Sequence, residues 1–83
     1  MIVTVWTKSN CVQCDQTKKQ FDKLGVRFVE KDLETDLEAL EAFRVQGLLS
    51  APIVETDVKV WAGFRLDKIR SLAGFLRSQE VKG

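Results

Sequence analysis

The chain has 83 residues, of which 45% are hydrophobic and 30% are charged, and a length this short leaves no room for a second core. We therefore expect one folded domain over residues 1–83. The net charge of +1 gives no basic field for a phosphate backbone, and no apolar run reaches the roughly 18 residues that cross a bilayer, so neither nucleic acid nor a membrane is an expected partner.

The first part of the chain predicts a strand followed by a helix. Residues 2–6 are mostly β-branched or aromatic, which predicts a buried strand. The first seven residues lack the basic region and cleavage site of an export signal, so the expected compartment is the cytoplasm. A helix is predicted over about residues 12–24, with Gly25 as its stop signal. Its inward positions, at three- to four-residue spacing, are Cys14, Thr17 or Lys18, Phe21 and Leu24.

The middle of the chain predicts a second strand and a second helix. Residues 26–32 partly alternate in polarity, and the helix before them is a crossover long enough for parallel pairing with the first strand. Thr35 and Glu38 have the spacing of a capping box, which predicts that a helix begins there. Its expected inward residues are Leu37, Leu40, Phe43 and Leu48, with Gly47 near its end.

The last part of the chain predicts a hairpin and a third helix. Residues 52–55 and 59–62 are short strands separated by a three-residue loop. The final helix directs Leu66, Ile69, Leu72 or Ala73, and Leu76 inward, and the tail over residues 80–83 is expected to fray. The order β-α-β-α-β-β-α predicts an α/β protein with a four-stranded mixed sheet flanked by three helices, which is the arrangement of the thioredoxin fold.

The two cysteines of the chain, Cys11 and Cys14, follow the first predicted strand directly, and three interpretations are open. Structural zinc needs four Cys or His ligands, and a chain with two cysteines and no histidine could hold a metal or cluster only by bridging two chains. The cysteines could also be inert buried thiols. A reversible disulfide is the third interpretation, and it explains their position at a strand–helix junction. The absence of histidine also excludes hydrolases of the Cys-His and Ser-His kinds.

The redox interpretation assigns different roles to the two sulfurs. Cys11 lies where a helix begins, so free backbone N–H groups and the helix dipole should lower the pKa of its thiol, and Lys8 could add a further attraction. Cys14 lies one turn later on the buried face of the helix. We therefore predict that Cys11 attacks the disulfide of a partner and that Cys14 then resolves the mixed disulfide. A separate reductase must restore the dithiol.

Three stretches resemble the NrdH-redoxin family of glutaredoxin-like small redoxins. The first is Trp-Thr-Lys at residues 6–8, leading to Cys-Val-Gln-Cys at residues 11–14. The second is Gln-Gly-Leu at residues 46–48, followed by Ala-Pro-Ile-Val at residues 51–54. The third is Trp-Ala-Gly-Phe-Arg-Leu-Asp at residues 61–67, similar to the family pattern Trp-Ser-Gly-Phe-Arg-Pro-Asp except at Ala62 and Leu66.

The resemblance implies a partner site around the cysteines. Pro52 is expected to be cis, which would turn the backbone groups of Ala51 outward to pair with an extended segment of the partner. Trp61 and Phe64 either contact the partner or belong to the core. The residues expected to bind the partner are Lys8, Val12, Gln13, Ala51, Pro52, Trp61 and Phe64.

The resemblance also implies the electron route. Family members are reduced by thioredoxin reductase and donate electrons to class Ib ribonucleotide reductase, here as a monomer with no cofactor and no metal. Phe64 and the pair Ser50–Ala51 stand where glutaredoxins place glutathione-binding groups, so glutathione should bind poorly. The alternatives are a glutathione-dependent glutaredoxin and a module that binds a partner or bridges a metal or cluster.

Overall fold

Four strands and three helices form the protein in the computed structural model, which describes residues 1–80. The elements are β1 (Thr4–Thr7), α1 (Val12–Lys23), β2 (Val29–Asp32), α2 (Leu37–Val45), β3 (Ile53–Glu55), β4 (Val60–Ala62) and α3 (Leu66–Glu80). This order confirms the predicted sequence of elements. Helix α3 reaches Glu80, and the rest of the tail that was expected to fray lies outside the described residues.

The sheet is mixed, with the strand order β2-β1-β3-β4. Strand β1 pairs in parallel with β2 and antiparallel with β3, and β3 pairs antiparallel with β4. The parallel pair is joined by α1, as a crossover connection requires. The predicted thioredoxin fold is therefore confirmed, and its central strand β1 ends directly before the loop that carries Cys11.

Helix α1 ends in a Schellman motif, which explains why β2 begins later than predicted. Gly25 has φ +72°, and its N–H donates to Asp22 O at 3.1 Å. The N–H of Val26 donates to Phe21 O at 2.8 Å. These two bonds satisfy carbonyls at the end of the helix. Because residue 26 closes the helix, the strand starts only at Val29 and not at residue 26.

The predicted cap of α2 is wrong by one residue. Asp36, and not Thr35, is the N-cap, and its Oδ1 accepts from the Ala39 N–H at 3.0 Å. The Thr35 hydroxyl instead donates to Asp32 O at 3.4 Å. An ionised carboxylate forms a stronger hydrogen bond with a helical N–H than a hydroxyl does, which favours Asp36 where both residues could serve.

The expected inward position of Leu37 is also wrong, since its side chain is 71% exposed. Residue 37 lies about a third of a turn from the face that Ala39, Leu40 and Phe43 turn toward the sheet, at 3.6 residues per turn. Phe43 is buried, and Leu40 and Leu48 are partly buried beside it, as predicted.

The core has two parts, one on each face of the sheet, because successive strand residues point to opposite faces. The first cluster lies under α1 and α3 and consists of Val3, Val5, Phe21, Val26, Val54, Trp61, Ile69, Leu72 and Ala73. The second cluster lies under α2 and consists of Trp6, Leu33, Phe43 and Ile53. Adjacent residues thus separate, as Val5 and Trp6 do on β1. Over residues 1–80, no helix has the length and apolar character needed to cross a membrane.

Candidate functional site

Cys11 and Cys14 form a disulfide at the start of α1. Cys11 is the N-cap residue, with an extended backbone at φ −114° and ψ 100°. Its Sγ accepts a hydrogen bond from the Cys14 N–H at 3.1 Å. A free N–H at the first turn of a helix is a donor without an intrahelical partner, and here it is directed at sulfur. The helix therefore supplies both a donor and the positive end of its dipole to Cys11.

The two sulfurs differ in exposure. Cys14 is 1% exposed and lies on the buried face of α1, together with Thr17 and Phe21. Cys11 is only half-buried, and Val12 beside it is 70% exposed. The predicted asymmetry of the pair is therefore present in the structure. The disulfide of another protein can therefore approach Cys11, whereas Cys14 is covered by the rest of the fold.

The peptide bond between Ala51 and Pro52 is cis, as the resemblance implies. Pro52 is fully buried, and its carbonyl accepts a hydrogen bond from the Gly63 N–H at 2.7 Å. Ala51 is half-buried. The loop before β3 is thus attached to the turn between β4 and α3.

Gln13 attaches the cysteine segment to the same turn. Its side chain is in the exposed part of α1, and its Oε1 accepts from the Phe64 N–H at 3.0 Å. At Gly63, where φ is +84°, an added Cβ would lie 3.6 Å from the same oxygen. The hydrogen bonds therefore bring Gln13, Pro52 and Phe64 into one network. Sequence reasoning had grouped these residues through the resemblance, but it had not found the bonds between them.

The remaining predicted site residues occupy different environments. Phe64 is half-buried and packs against the first core cluster. Trp61 is 3% exposed within that cluster, which favours the core interpretation of its ring over direct contact with a partner. Lys8 is exposed on the loop between β1 and α1.

Two polar contacts near this loop have no signal in the sequence. Glu34 accepts hydrogen bonds from the Ser9 hydroxyl and from the Ser9 N–H, the latter at 3.1 Å. The hydroxyl bond is the main cause of the lowered pKa of Glu34, and the N–H bond and the charge of Lys8 add to it. The loop before Cys11 is therefore attached to the loop before α2, 25 residues away in the sequence.

An ion pair connects α1 to the edge strand β2. Lys18 Nζ lies 2.9 Å from Glu30 Oε2, which also accepts from the Thr7 hydroxyl at 3.2 Å. The hydrogen bond between them raises the pKa of Lys18 and lowers that of Glu30, against the effect of desolvation. This pair links α1, whose N-cap is Cys11, to the edge of the sheet, and because both side chains are partly exposed its contribution to stability is small.

The possible ligands for a metal are few. Among residues 1–80, no three His, Cys, Asp or Glu side chains form a group that could hold a metal ion. In the structure the two cysteine sulfurs are bonded to each other. Within the described part of one chain, the arrangement offers thiol–disulfide chemistry.

Comparison with known proteins identifies the family. The sequence model of the Glutaredoxin family matches residues 3–61. The chain is 38% identical over 72 residues to the glutaredoxin-like protein NrdH of Escherichia coli K12, covering 87% of this chain and 89% of that protein. It is 32% identical over 72 residues to NrdH of Lactococcus lactis subsp. cremoris, covering 87% of this chain and all of the relative.

Solved structures agree with the sequence comparison. The structure of the Escherichia coli NrdH-redoxin, described as a glutaredoxin-like protein with a thioredoxin-like activity profile, superposes with a TM-score of 0.82 at 38% identity. The match covers 87% of this chain and 95% of that one. A glutaredoxin from Methanosarcina mazei matches with a TM-score of 0.74 at 32% identity, over 89% of this chain and 79% of the other. The chain therefore belongs to the glutaredoxin family and is an NrdH-like redox protein whose disulfide joins Cys11 and Cys14.

Proposed function

We propose that this protein is a cytoplasmic dithiol electron carrier that thioredoxin reductase reduces and that donates electrons to a class Ib ribonucleotide reductase. The observation that carries the proposal is the asymmetry of the disulfide: Cys11 is reachable at a helix N-terminus, and Cys14 is 1% exposed. The thioredoxin-like activity profile described for the Escherichia coli relative supports the choice of reductase. The carrier acts as a monomer and needs no cofactor.

The proposed exchange uses Cys11 first. The Cys14 N–H and the start of α1 stabilise the Cys11 thiolate, which attacks one sulfur of the partner's disulfide and releases the other sulfur as a thiolate. Cys14 then attacks Cys11 Sγ, and the second partner sulfur leaves. Two electrons and two protons pass from the dithiol to the partner, and the bond between Cys11 and Cys14 forms again.

The proposed partner surface surrounds Cys11. Lys8, Val12 and Gln13 are exposed on the cysteine side, and Ala51 and Phe64 are half-buried in the attached loops. The backbone groups of Ala51 pair with an extended segment of the partner. Pro52 and Trp61 are buried, so their part is to hold this surface in place.

The alternative of a glutathione-dependent protein has less support. A tripeptide carboxylate would need free backbone donors near the turn before α3. The Phe64 N–H is already occupied by Gln13, and the Gly63 N–H by Pro52. The Phe64 side chain adds bulk at the same turn. Glutathione should therefore be a poor reductant of the disulfide.

The choice of reductant is tested with the oxidised protein and NADPH. One sample contains thioredoxin reductase, and the other contains glutathione with glutathione reductase; the loss of NADPH is followed in both. We expect fast oxidation of NADPH only with thioredoxin reductase. The Cys11→Ser variant serves as the control for background oxidation. Reduction by glutathione alone would reject the proposal.

The roles of the sulfurs are tested with single variants and a reducible partner. Cys11→Ser should abolish transfer, because no accessible thiolate remains. Cys14→Ser should accumulate a mixed disulfide with the partner, visible on a non-reducing gel, because no second sulfur releases it. Identical behaviour of the two variants would refute this assignment.

A further inference from the structure

One buried polar group in α1 is not used by the exchange described above. Thr17 is 0% exposed, and within residues 1–80 no hydrogen-bond partner is present for its Oγ1. A helical threonine can usually donate to the carbonyl three or four residues earlier, and this one does not. A buried hydroxyl without a partner destabilises the fold, because it has lost its hydrogen bonds to water and has formed none with the protein.

Thr17 is the neighbour of Cys14 on the buried face of the helix. Residues three apart in a helix lie one above the other, with Cβ atoms about 5–6 Å apart. Both residues are buried, together with Phe21, on the face that α1 turns toward the first core cluster. In the disulfide form the Cys14 sulfur is bonded to Cys11, and it forms no hydrogen bond with Thr17 in the described structure.

Reduction changes what the Cys14 sulfur requires. The sulfur loses its bond to Cys11, can turn about its χ1 angle, and becomes a thiol or a thiolate. A buried thiolate is unfavourable unless a donor is within reach. The Cys14 N–H does not meet this need, because it is directed at Cys11 Sγ. The Thr17 hydroxyl is a buried donor, one helical turn from Cys14, that has no partner in the disulfide form.

We propose that Thr17 is a positioning residue for Cys14: its hydroxyl is unpaired in the disulfide form and hydrogen-bonds to the Cys14 sulfur in the dithiol form. The contact favours the reduced protein over the oxidised one, and it favours the Cys14 thiolate during release of the partner. The inference rests on the proposed thiol–disulfide exchange, but it requires neither a particular reductase nor a particular partner.

The hydroxyl takes no proton in this step. In the mixed disulfide, the bond joins Cys11 Sγ to a partner sulfur. The Cys14 thiol gives its proton to solvent, and the resulting thiolate accepts a hydrogen bond from Thr17 Oγ1. The thiolate attacks Cys11 Sγ, the bond to the partner breaks, and the partner sulfur leaves with the electron pair and takes a proton from solvent.

Equilibrium measurements test the proposal with three variants. Thr17→Val keeps the shape of the side chain and removes the hydroxyl, and Thr17→Ser keeps the hydroxyl. Thr4→Val is the control, and it removes the hydroxyl of a residue that is 9% exposed at the far end of β1. Each protein is equilibrated with mixtures of reduced and oxidised dithiothreitol. We expect Thr17→Val to shift the equilibrium about tenfold toward the disulfide, about 30 mV to lower potential. Thr17→Ser and Thr4→Val should stay close to the unaltered protein.

Two further readouts separate this role from a purely structural one. With a chromogenic aryl disulfide, Cys11 releases one coloured thiolate and Cys14 releases the second. In Thr17→Val the first release should be unchanged, and the second should be slower and shifted to higher pH. Urea unfolding of oxidised Thr17→Val should show no loss of stability, because the hydroxyl makes no bond in that form.

The possible failures are distinguishable. An unchanged potential with an unchanged second release in Thr17→Val would overturn this inference alone. The inference would also be overturned if Thr17→Ser shifted the dithiol–disulfide equilibrium toward the disulfide as far as Thr17→Val does. If the unaltered protein released no second thiolate at all, the electron-carrier proposal itself would fall, and this inference with it.

Discussion

Gln13 joins two parts of the chain that lie 51 positions apart, through one hydrogen bond to the Phe64 N–H. The residue is in the pair between the two cysteines, so the same dipeptide that spaces the sulfurs also holds the turn before α3. Phe64 in turn packs on the first core cluster. A single exposed side chain therefore connects the redox site to the packing of the last helix.

Replacing Gln13 should weaken this connection. We expect Gln13→Ala to lower the free energy of unfolding by about 0.5–1 kcal/mol, since one largely exposed hydrogen bond is lost. Urea unfolding at constant redox state measures the change. Gln16→Ala, at an exposed position of the same helix, is the matched control and should change stability by less than about 0.5 kcal/mol. Equal losses in the two variants would contradict a role for the Phe64 contact.

At the scale of the element, α1 and α2 begin with different kinds of cap. Helix α1 begins at a cysteine whose sulfur accepts the helical N–H, so the cap and the redox centre are the same residue. Helix α2 begins at Asp36, a carboxylate cap, and its last turn closes at Gly47, where φ is +80°. The first cap places a sulfur of the disulfide at the helix N-terminus, and the second places a carboxylate there.

The cap of α2 can be tested by comparing adjacent residues. Asp36→Ala should lower the free energy of unfolding by about 1 kcal/mol, because the Ala39 N–H loses its acceptor. Thr35→Ala should change it by less than about 0.5 kcal/mol, since the 3.4 Å contact of its hydroxyl is long. Chemical denaturation of both variants provides the measurement. A larger effect at residue 35 would restore the capping box predicted from the sequence.

At the scale of the whole molecule, the sheet divides the core into two unequal parts. The larger part binds α1, which carries the cysteines, to α3, and its central residues Phe21, Val54 and Ile69 are completely buried. The smaller part holds α2 through Trp6 and Phe43, whose rings meet edge to face at 5.6 Å. Helix α1, which begins at the disulfide, therefore packs on the larger part of the core.

Shortening a buried side chain of α3 tests how much the larger part of the core contributes to stability. Ile69→Ala should cost about 3 kcal/mol, a large share of the roughly 4–12 kcal/mol expected for a chain of this size. Phe75→Ala, on the same helix, should cost less than about 1 kcal/mol, because its ring is 42% exposed. Both losses of stability are measured from the shift of the denaturant midpoint, with the slope of the unfolding free energy against denaturant concentration unchanged. Similar losses would show that burial at residue 69 is not what stabilises the protein.

The sequence predicted the parts of this molecule that depend on short-range patterns. Hydrophobic periodicity gave the element order, and the resemblance gave the cis bond before Pro52. Features that depend on the exact position of a residue along a helix were predicted wrongly. Examples are the exposure of Leu37 and the N-cap at Asp36. Contacts between distant segments were also missed, including Gln13 with Phe64 and Ser9 with Glu34. No local pattern encodes which polar groups meet once the chain has folded.

The edge strand β2 has a consequence for the behaviour of the protein in concentrated solution. All four of its residues are exposed, and three consecutive ones, Glu30, Lys31 and Asp32, are charged with alternating sign. An open sheet edge is a template onto which another chain can add, and charged side chains discourage that addition. Lys31 also lies 5.3 Å over the ring of Trp6 and shields an aromatic surface beside the edge. The charges on this strand therefore disfavour pairing of the open edge with a second copy of the chain.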